Sequence, residues 1–91
     1  MRKQVHVFYS GRVQGVGFRV TAEETANEHH VVGWVKNLRD GRVELIAESE
    51  EKLLVRFLNE IRMGPMRNFI RAIEVTWGES TDDFEDFQIR Y

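Results

Sequence analysis

Along this chain the spacing of apolar residues changes, twice in succession, from every second residue to every third or fourth. An alternating segment at residues 4–10 is followed by a helical repeat at residues 18–30. Two β-branched or alternating segments, 31–38 and 42–48, are then joined through an Asp-Gly pair at 40–41, which is typical of a hairpin turn. The first half of the chain is therefore predicted to run strand, helix, strand, strand.

The second half repeats the change of period. Ser49 is predicted to cap a second helix, because acidic residues follow it in what would be the first turn. The apolar stripe of that helix consists of Leu53, Leu54, Phe57, Leu58 and Ile61. Gly-Pro at 64–65 ends the helix. Strands are expected at 69–77 and 84–91, and the acidic segment 79–83 between them is expected to be a solvated loop.

This order of elements indicates an α+β fold, the ferredoxin-like (βαββαβ) sandwich with a short additional C-terminal strand. Two helices would lie on one face of an antiparallel sheet. A chain of 91 residues has room for one domain, residues 1–91, with one core. No run approaches the ~20 apolar residues of a membrane helix, and the N-terminus lacks the apolar core of a signal peptide. We expect a cytoplasmic monomer without membrane partners.

The charge and the residue types of the chain argue against several classes of function. The formal net charge is −2, from 13 basic and 15 acidic residues, so the chain lacks the basic surface of a non-specific nucleic-acid binder. It contains no cysteine, which excludes disulfides and thiolate chemistry. His29 and His30 are adjacent and would project about 100° apart on a helix, a poor arrangement for a metal chelate. We therefore expect no nucleic-acid partner, no metal and no cofactor.

Three of the seven glycines fall in the segment SGRVQGVGFR, residues 10–19, between the first strand and the first helix. Glycine lets backbone N–H groups turn toward one point, and a helix N-terminus beside them favours an anion. Arg19 adds a guanidinium group suited to phosphate. The spacing is neither that of a Walker A loop nor that of a dinucleotide-binding fingerprint. From these residues alone the segment is either an anion site or a tight turn beside a solvated arginine.

GRVQGVGFR, together with GWVKNLRDGRVE from residue 33 onward, resembles the acylphosphatase family, and the resemblance extends over nearly the whole chain. Members of that family have the ferredoxin-like fold. They hydrolyse the carboxyl-phosphate bond of small acyl phosphates to a carboxylate and inorganic phosphate, without a metal or a covalent intermediate.

The resemblance implies a role for individual residues. Arg19 would bind the phosphate, and Asn37 would orient the attacking water. The backbone N–H groups that would cradle the phosphate belong to Gly15, Val16, Gly17, Phe18 and Arg19. The family usually ends its first helix with a glycine, where this chain has His30.

Two alternatives stay open. One is a non-catalytic ferredoxin-like module that binds an anion or RNA, with Phe8 as the candidate for stacking on a base. The charge balance disfavours it. The other is the acylphosphatase-like domain of a larger carbamoyl-transfer maturation protein, although this chain has no cysteines for the zinc modules of such proteins.

Overall fold

The computed structural model describes all 91 residues and contains five strands and two helices. The elements in chain order are β1 (Arg2–Gly11), α1 (Phe18–Glu28), β2 (Val32–Asn37), β3 (Val43–Glu50), α2 (Glu51–Met63), a 3₁₀ turn (Arg67–Phe69), β4 (Ile70–Glu79) and β5 (Phe87–Arg90). The strands form one sheet in the order β4-β1-β3-β2-β5. This arrangement confirms the ferredoxin-like α+β sandwich. Neither helix has the length and the apolar run that crossing a bilayer requires.

The sheet is mixed rather than wholly antiparallel. The four strands β4, β1, β3 and β2 pair antiparallel, as predicted, but β5 pairs parallel with β2. The reason is the path of residues 80–86, which connect β4 at one edge of the sheet to β5 at the other. They cross the end of the sheet at which β2 begins, where Gly33 N donates a hydrogen bond to Asp86 O at 2.9 Å. From there β5 runs in the same direction as β2.

The core lies between the sheet and the two helices. Alternate residues of the strands supply one half of it, among them Val5, Val7, Tyr9, Val35, Val43, Leu45 and Ala47. The helices supply the other half through Phe18, Ala22, Ala26, Leu54, Phe57 and Ile61. The predicted stripe of α2 therefore faces the core, although Leu53 and Leu58 at its margins are only half-buried.

Ser49 does not cap α2, so that prediction is wrong. Ser49 is the buried penultimate residue of β3, and its hydroxyl donates to His30 O at 3.0 Å. The helix begins at Glu51, with Glu50 at the N-cap and no side-chain cap. The hydroxyl that would cap the helix instead holds the end of α1, a contact between residues far apart in the sequence.

Residues 80–82 are tied to the sheet by the buried carboxylate of Glu48, which is 0% exposed. The donors to its two oxygens are Gln4 Nε2, Ser80 Oγ, Thr81 N, Thr81 Oγ1 and Asp82 N, at 2.7–3.0 Å. The segment 79–83, which is predicted to be a solvated loop, is thus largely exposed to solvent, but its residues 80–82 are also hydrogen-bonded to Glu48 of the sheet. Burial raises the pKa of the Glu48 carboxyl, but hydrogen bonds from Thr81, Gln4 and Ser80 outweigh it, so the pKa is about 2.

Glu48→Gln is expected to lower the free energy of unfolding at pH 7 by roughly 3 kcal/mol, because an amide N–H would face groups that themselves donate. The folded pKa is depressed from 4.5 to about 2. Ionised Glu48 therefore stabilises the fold above the unfolded pKa, and this contribution is lost as the pH falls toward 2. Urea unfolding at pH 7 and pH 3 measures the difference, which should shrink at pH 3. Glu79→Gln is the control, because the surface ion pair of Glu79 with Lys3 contributes little to the free energy of unfolding. An equal loss at both pH values would contradict the prediction.

The end of α1 is a Schellman motif with His30 at its left-handed position. Val31 N donates to Ala26 O at 2.8 Å, and His30 N donates to Asn27 O at 3.4 Å. His30 has φ 56°. Glycine adopts this left-handed conformation without steric cost, whereas a residue with a Cβ adopts it only with strain. The helix therefore ends at Glu28, before the predicted end at residue 30.

His30→Gly is expected to raise the free energy of unfolding by about 1 kcal/mol, since it relieves the left-handed strain at an exposed position. His30→Ala is the matched control. It removes the same side chain beyond Cβ but keeps the strain, so it should bring no gain. Chemical denaturation of the three proteins measures both effects, and equal stabilities for the Gly and Ala variants would refute the strain argument.

Candidate active site

The loop at residues 12–17 joins β1 to α1 and carries the two glycines nearest the helix. Gly15 has φ 76° and Gly17 has φ 81°. A Cβ added at either would meet no atom within 4 Å, so the left-handed backbone, not crowding, requires glycine there. Val13, 1% exposed, anchors the loop in the core.

The first turn of α1 offers free donors beside this loop. Gly17 occupies the N-cap position, no side chain caps the helix, and no acidic residue lies in its first turn. No hydrogen bond within the protein uses the backbone N–H groups of residues 15–19. Because the helix dipole places partial positive charge at this end, these N–H groups form a site for an anion.

The loop, the start of α1 and the end of β2 enclose a cavity of about 100 Å³. The cavity is lined by Val13, Gly15, Gly17, Phe18, Arg19, Val20 and Asn37. Arg19 and Asn37, which are 18 residues apart in the sequence, thus share one small space. Val16 is the one proposed cradle residue that does not line the cavity, and its side chain packs against the core.

Arg19 carries the only charge at the cavity wall, since the other lining residues are glycine, apolar residues and asparagine. Its guanidinium forms no ion pair with any carboxylate of the protein. It lies over the Tyr91 ring, whose centroid is 4.8 Å from Cζ. The positive charge is therefore available to a ligand.

Asn37 is the last residue of β2 and is half-buried. Its Oδ1 atom is fully buried and accepts no hydrogen bond from the protein. A buried amide oxygen left in this state is costly unless something donates to it. Asn37 also lines the cavity, so its side-chain amide is the neutral polar group available there to a water molecule or a ligand.

Sequence reasoning missed several contacts of the site. It assigned no role to Val13, Val20 or Gln14, although all three lie in or beside the glycine-rich segment, and it placed Tyr91 only in a strand. Gln14 bonds to the β2–β3 hairpin, and Tyr91 stacks on Arg19 from the other end of the chain. Such non-local contacts leave no periodic signal in a sequence.

Comparison with known proteins connects this site to a family. The acylphosphatase family model matches residues 5–89. An acylphosphatase of Roseiflexus sp. (strain RS-1) is 42% identical over 86 residues, which cover 94% of this chain and 92% of the relative. The crystal structure of acylphosphatase from Bacillus subtilis is 38% identical, with a TM-score of 0.91 over 98% of this chain and 99% of that one.

The fold also recurs inside a larger protein. The full-length HypF structure, in its phosphate- and nucleotide-bound form, contains a part that is 28% identical with a TM-score of 0.87. The match covers all of this chain but only 12% of that one. The Roseiflexus and Bacillus proteins, in contrast, match over nearly their whole lengths. The family model and these full-length relatives agree: the chain belongs to the acylphosphatase family.

Proposed function

We propose that this protein hydrolyses the carboxyl-phosphate bond of small acyl phosphates and releases a carboxylate and inorganic phosphate. The observation that carries the proposal is the single cavity in which Arg19, the start of α1 and Asn37 meet. Membership of the acylphosphatase family supports the same reaction. We expect the 91 residues to act as one domain, because a single core joins the sheet to both helices.

The phosphoryl group of the substrate binds in the cavity. A space of about 100 Å³ suits a phosphoryl group and leaves the acyl group at the mouth, near exposed Val20. The Arg19 guanidinium donates to the phosphoryl oxygens as a planar fork. The N–H groups of residues 15–19 donate to the same oxygens. Together they stabilise the charge that the phosphoryl oxygens carry in the transition state.

The attacking water is held by Asn37. Its side-chain amide forms a hydrogen bond with the water, which directs a lone pair of the water oxygen at phosphorus, opposite the leaving carboxylate. A bond forms between that oxygen and phosphorus as the bond from phosphorus to the carboxylate oxygen breaks, and both electrons of the broken bond leave with the carboxylate. The carboxylate is a weak base and needs no acid catalyst.

The proton of the water passes to a phosphoryl oxygen of the substrate. No aspartate, glutamate or histidine lines the cavity, so no side chain there is suited to act as a general base. A pH–rate profile that follows a single protein carboxyl group would contradict this step.

Phosphate release from benzoyl phosphate tests the proposal. We expect turnover by the wild-type protein, and the same rate in the presence of EDTA, because Arg19 and the helix N-terminus supply the positive charge. Absence of turnover would overturn the proposed reaction. Turnover that EDTA abolishes would overturn the metal-free mechanism.

The RNA-binding alternative depends on Phe8, which lies on the face of the sheet away from the helices. Its ring is covered by Arg42, whose Cζ is 4.5 Å from the centroid, and by the His6 ring at 4.8 Å. Base stacking would have to displace these neighbours, and this disfavours the alternative. The monomeric state, the cytoplasmic location and the absence of a nucleic-acid partner stay predictions.

A further inference from the structure

Gln14 connects the glycine-rich loop to the β2–β3 hairpin through its side-chain amide. Its Nε2 donates to Leu38 O at 2.7 Å and to Arg42 O at 2.9 Å. These carbonyls belong to the two sides of the hairpin turn, where Leu38 N also donates to Arg42 O at 2.8 Å. One amide group thus uses both of its N–H donors on the hairpin, and the side chain is half-buried while doing so.

The two halves of the site meet at this contact. Gln14 immediately precedes Gly15, the first residue of the proposed cradle, and Leu38 immediately follows Asn37. No other hydrogen bond joins the loop at residues 12–17 to residues 37–42. Apart from the bond of Thr21 N to Gly17 O, which belongs to the start of α1, the loop has one backbone hydrogen bond, from Arg12 N to Phe69 O at 2.9 Å in the turn before β4.

We propose that Gln14 is a positioning residue that sets the separation between the phosphate cradle and Asn37. This inference rests on the proposed function. The cradle moves with the loop and Asn37 moves with the hairpin, so the angle at which the water meets phosphorus depends on how the two are joined. An in-line attack is sensitive to displacements of about 1 Å, which can cost about a hundredfold in rate.

If Gln14 has this role, its loss should affect the rate of the chemical step but not the affinity for phosphate. Phosphate binding needs the N–H groups of residues 15–19 and Arg19, all on one side of the contact. The position of the water needs both sides. Loss of the Gln14 bonds should therefore lower kcat and leave inhibition by inorganic phosphate almost unchanged, since phosphate as a ligand uses only the cradle.

Gln14→Met tests this, because methionine keeps the length and volume of glutamine but donates no hydrogen bond. We expect kcat for benzoyl phosphate to fall about 10- to 100-fold, with the phosphate inhibition constant nearly that of wild type. Gln4→Met is the matched control. It removes another side-chain amide bond, to Glu48 at 2.7 Å, outside the residues that line the cavity, so it should reduce stability and keep kcat.

A second variant guards against a loss of activity through misfolding. In Gln14→Glu the carboxylate repels both carbonyls, whereas the protonated carboxyl can donate to one of them. The ratio of its kcat to that of wild type, at saturating substrate, should rise as the pH is lowered through the carboxyl range. Wild-type kcat in Gln14→Met, a pH-independent ratio for Gln14→Glu, or parallel losses in kcat and phosphate affinity would overturn the role of Gln14. Inactivity of the wild-type protein in the same assay would instead overturn the proposed function.

Discussion

Arg19→Ala is expected to lower kcat/KM for benzoyl phosphate by at least about a thousandfold, the range seen when an arginine that stabilises phosphoryl transfer is removed. Arg19 carries the only charge on the cavity wall, and nothing in the protein replaces its two-pronged donation to phosphoryl oxygens. Inhibition by inorganic phosphate should weaken as well, because the same group binds product and transition state. Arg19→Lys should recover only part of the loss, since an ammonium keeps the charge but not the planar fork.

The fold should survive this change. Arg19 has no ion pair, and its guanidinium lies over the exposed Tyr91 ring, so the variant should unfold at nearly the wild-type urea concentration. Steady-state kinetics and urea unfolding of the same preparation separate the two effects. Arg71→Ala is the control, because Arg71 is an exposed arginine on β4 that lines no part of the cavity. Similar activity for Arg19→Ala and Arg71→Ala would exclude Arg19 from the reaction.

Asn37→Ala is expected to lower kcat by about a hundred- to a thousandfold, with inhibition by inorganic phosphate retained. The variant removes the amide group that forms a hydrogen bond with the water and leaves the phosphate donors in place. Asn37→Asp should lose both kcat and phosphate affinity. It keeps the shape of the side chain but brings a negative charge to the cavity that binds the phosphate.

Stability distinguishes this role from a structural one. Since Asn37 Oδ1 accepts no hydrogen bond from the protein, removal of the side-chain amide should change the free energy of unfolding little. Single-turnover kinetics with phosphate inhibition, together with urea unfolding, provide the measurement. A variant that loses activity only in proportion to its stability would show that Asn37 supports the fold rather than the reaction.

Much of the site could be predicted because its chemistry is local in the sequence. Five residues in a row, 15–19, supply the proposed cradle and the guanidinium, and glycine at positions 15 and 17 permits the positive φ that the loop adopts. Asn37 was different. Its type and position suggested a role only through the family resemblance, and the structure then placed it in the cavity with Arg19.

Errors arose where one side chain had two possible partners. Ser49 has the local pattern of a helix cap, yet its hydroxyl donates to His30 O, because β3 continues past it and buries it against the end of α1. The acidic segment 79–83 has the composition of a solvated loop, yet Glu48 draws its N–H and hydroxyl groups inward. A sequence lists the donors and acceptors but does not say which of them meet.

The sequence by itself determined the order of strands and helices, the hairpin turn and the loop that requires glycine. Each depends on the period of apolar residues or on the backbone preference of a single residue, and both act over a few positions. Only the tertiary structure decided the direction of β5, the buried ties of Glu48, the Gln14 contact with the hairpin and the meeting of Arg19 with Asn37. Those features join residues that are far apart along the chain, and they form because the packing of the helices on the sheet brings their donors and acceptors within hydrogen-bond distance or around one cavity.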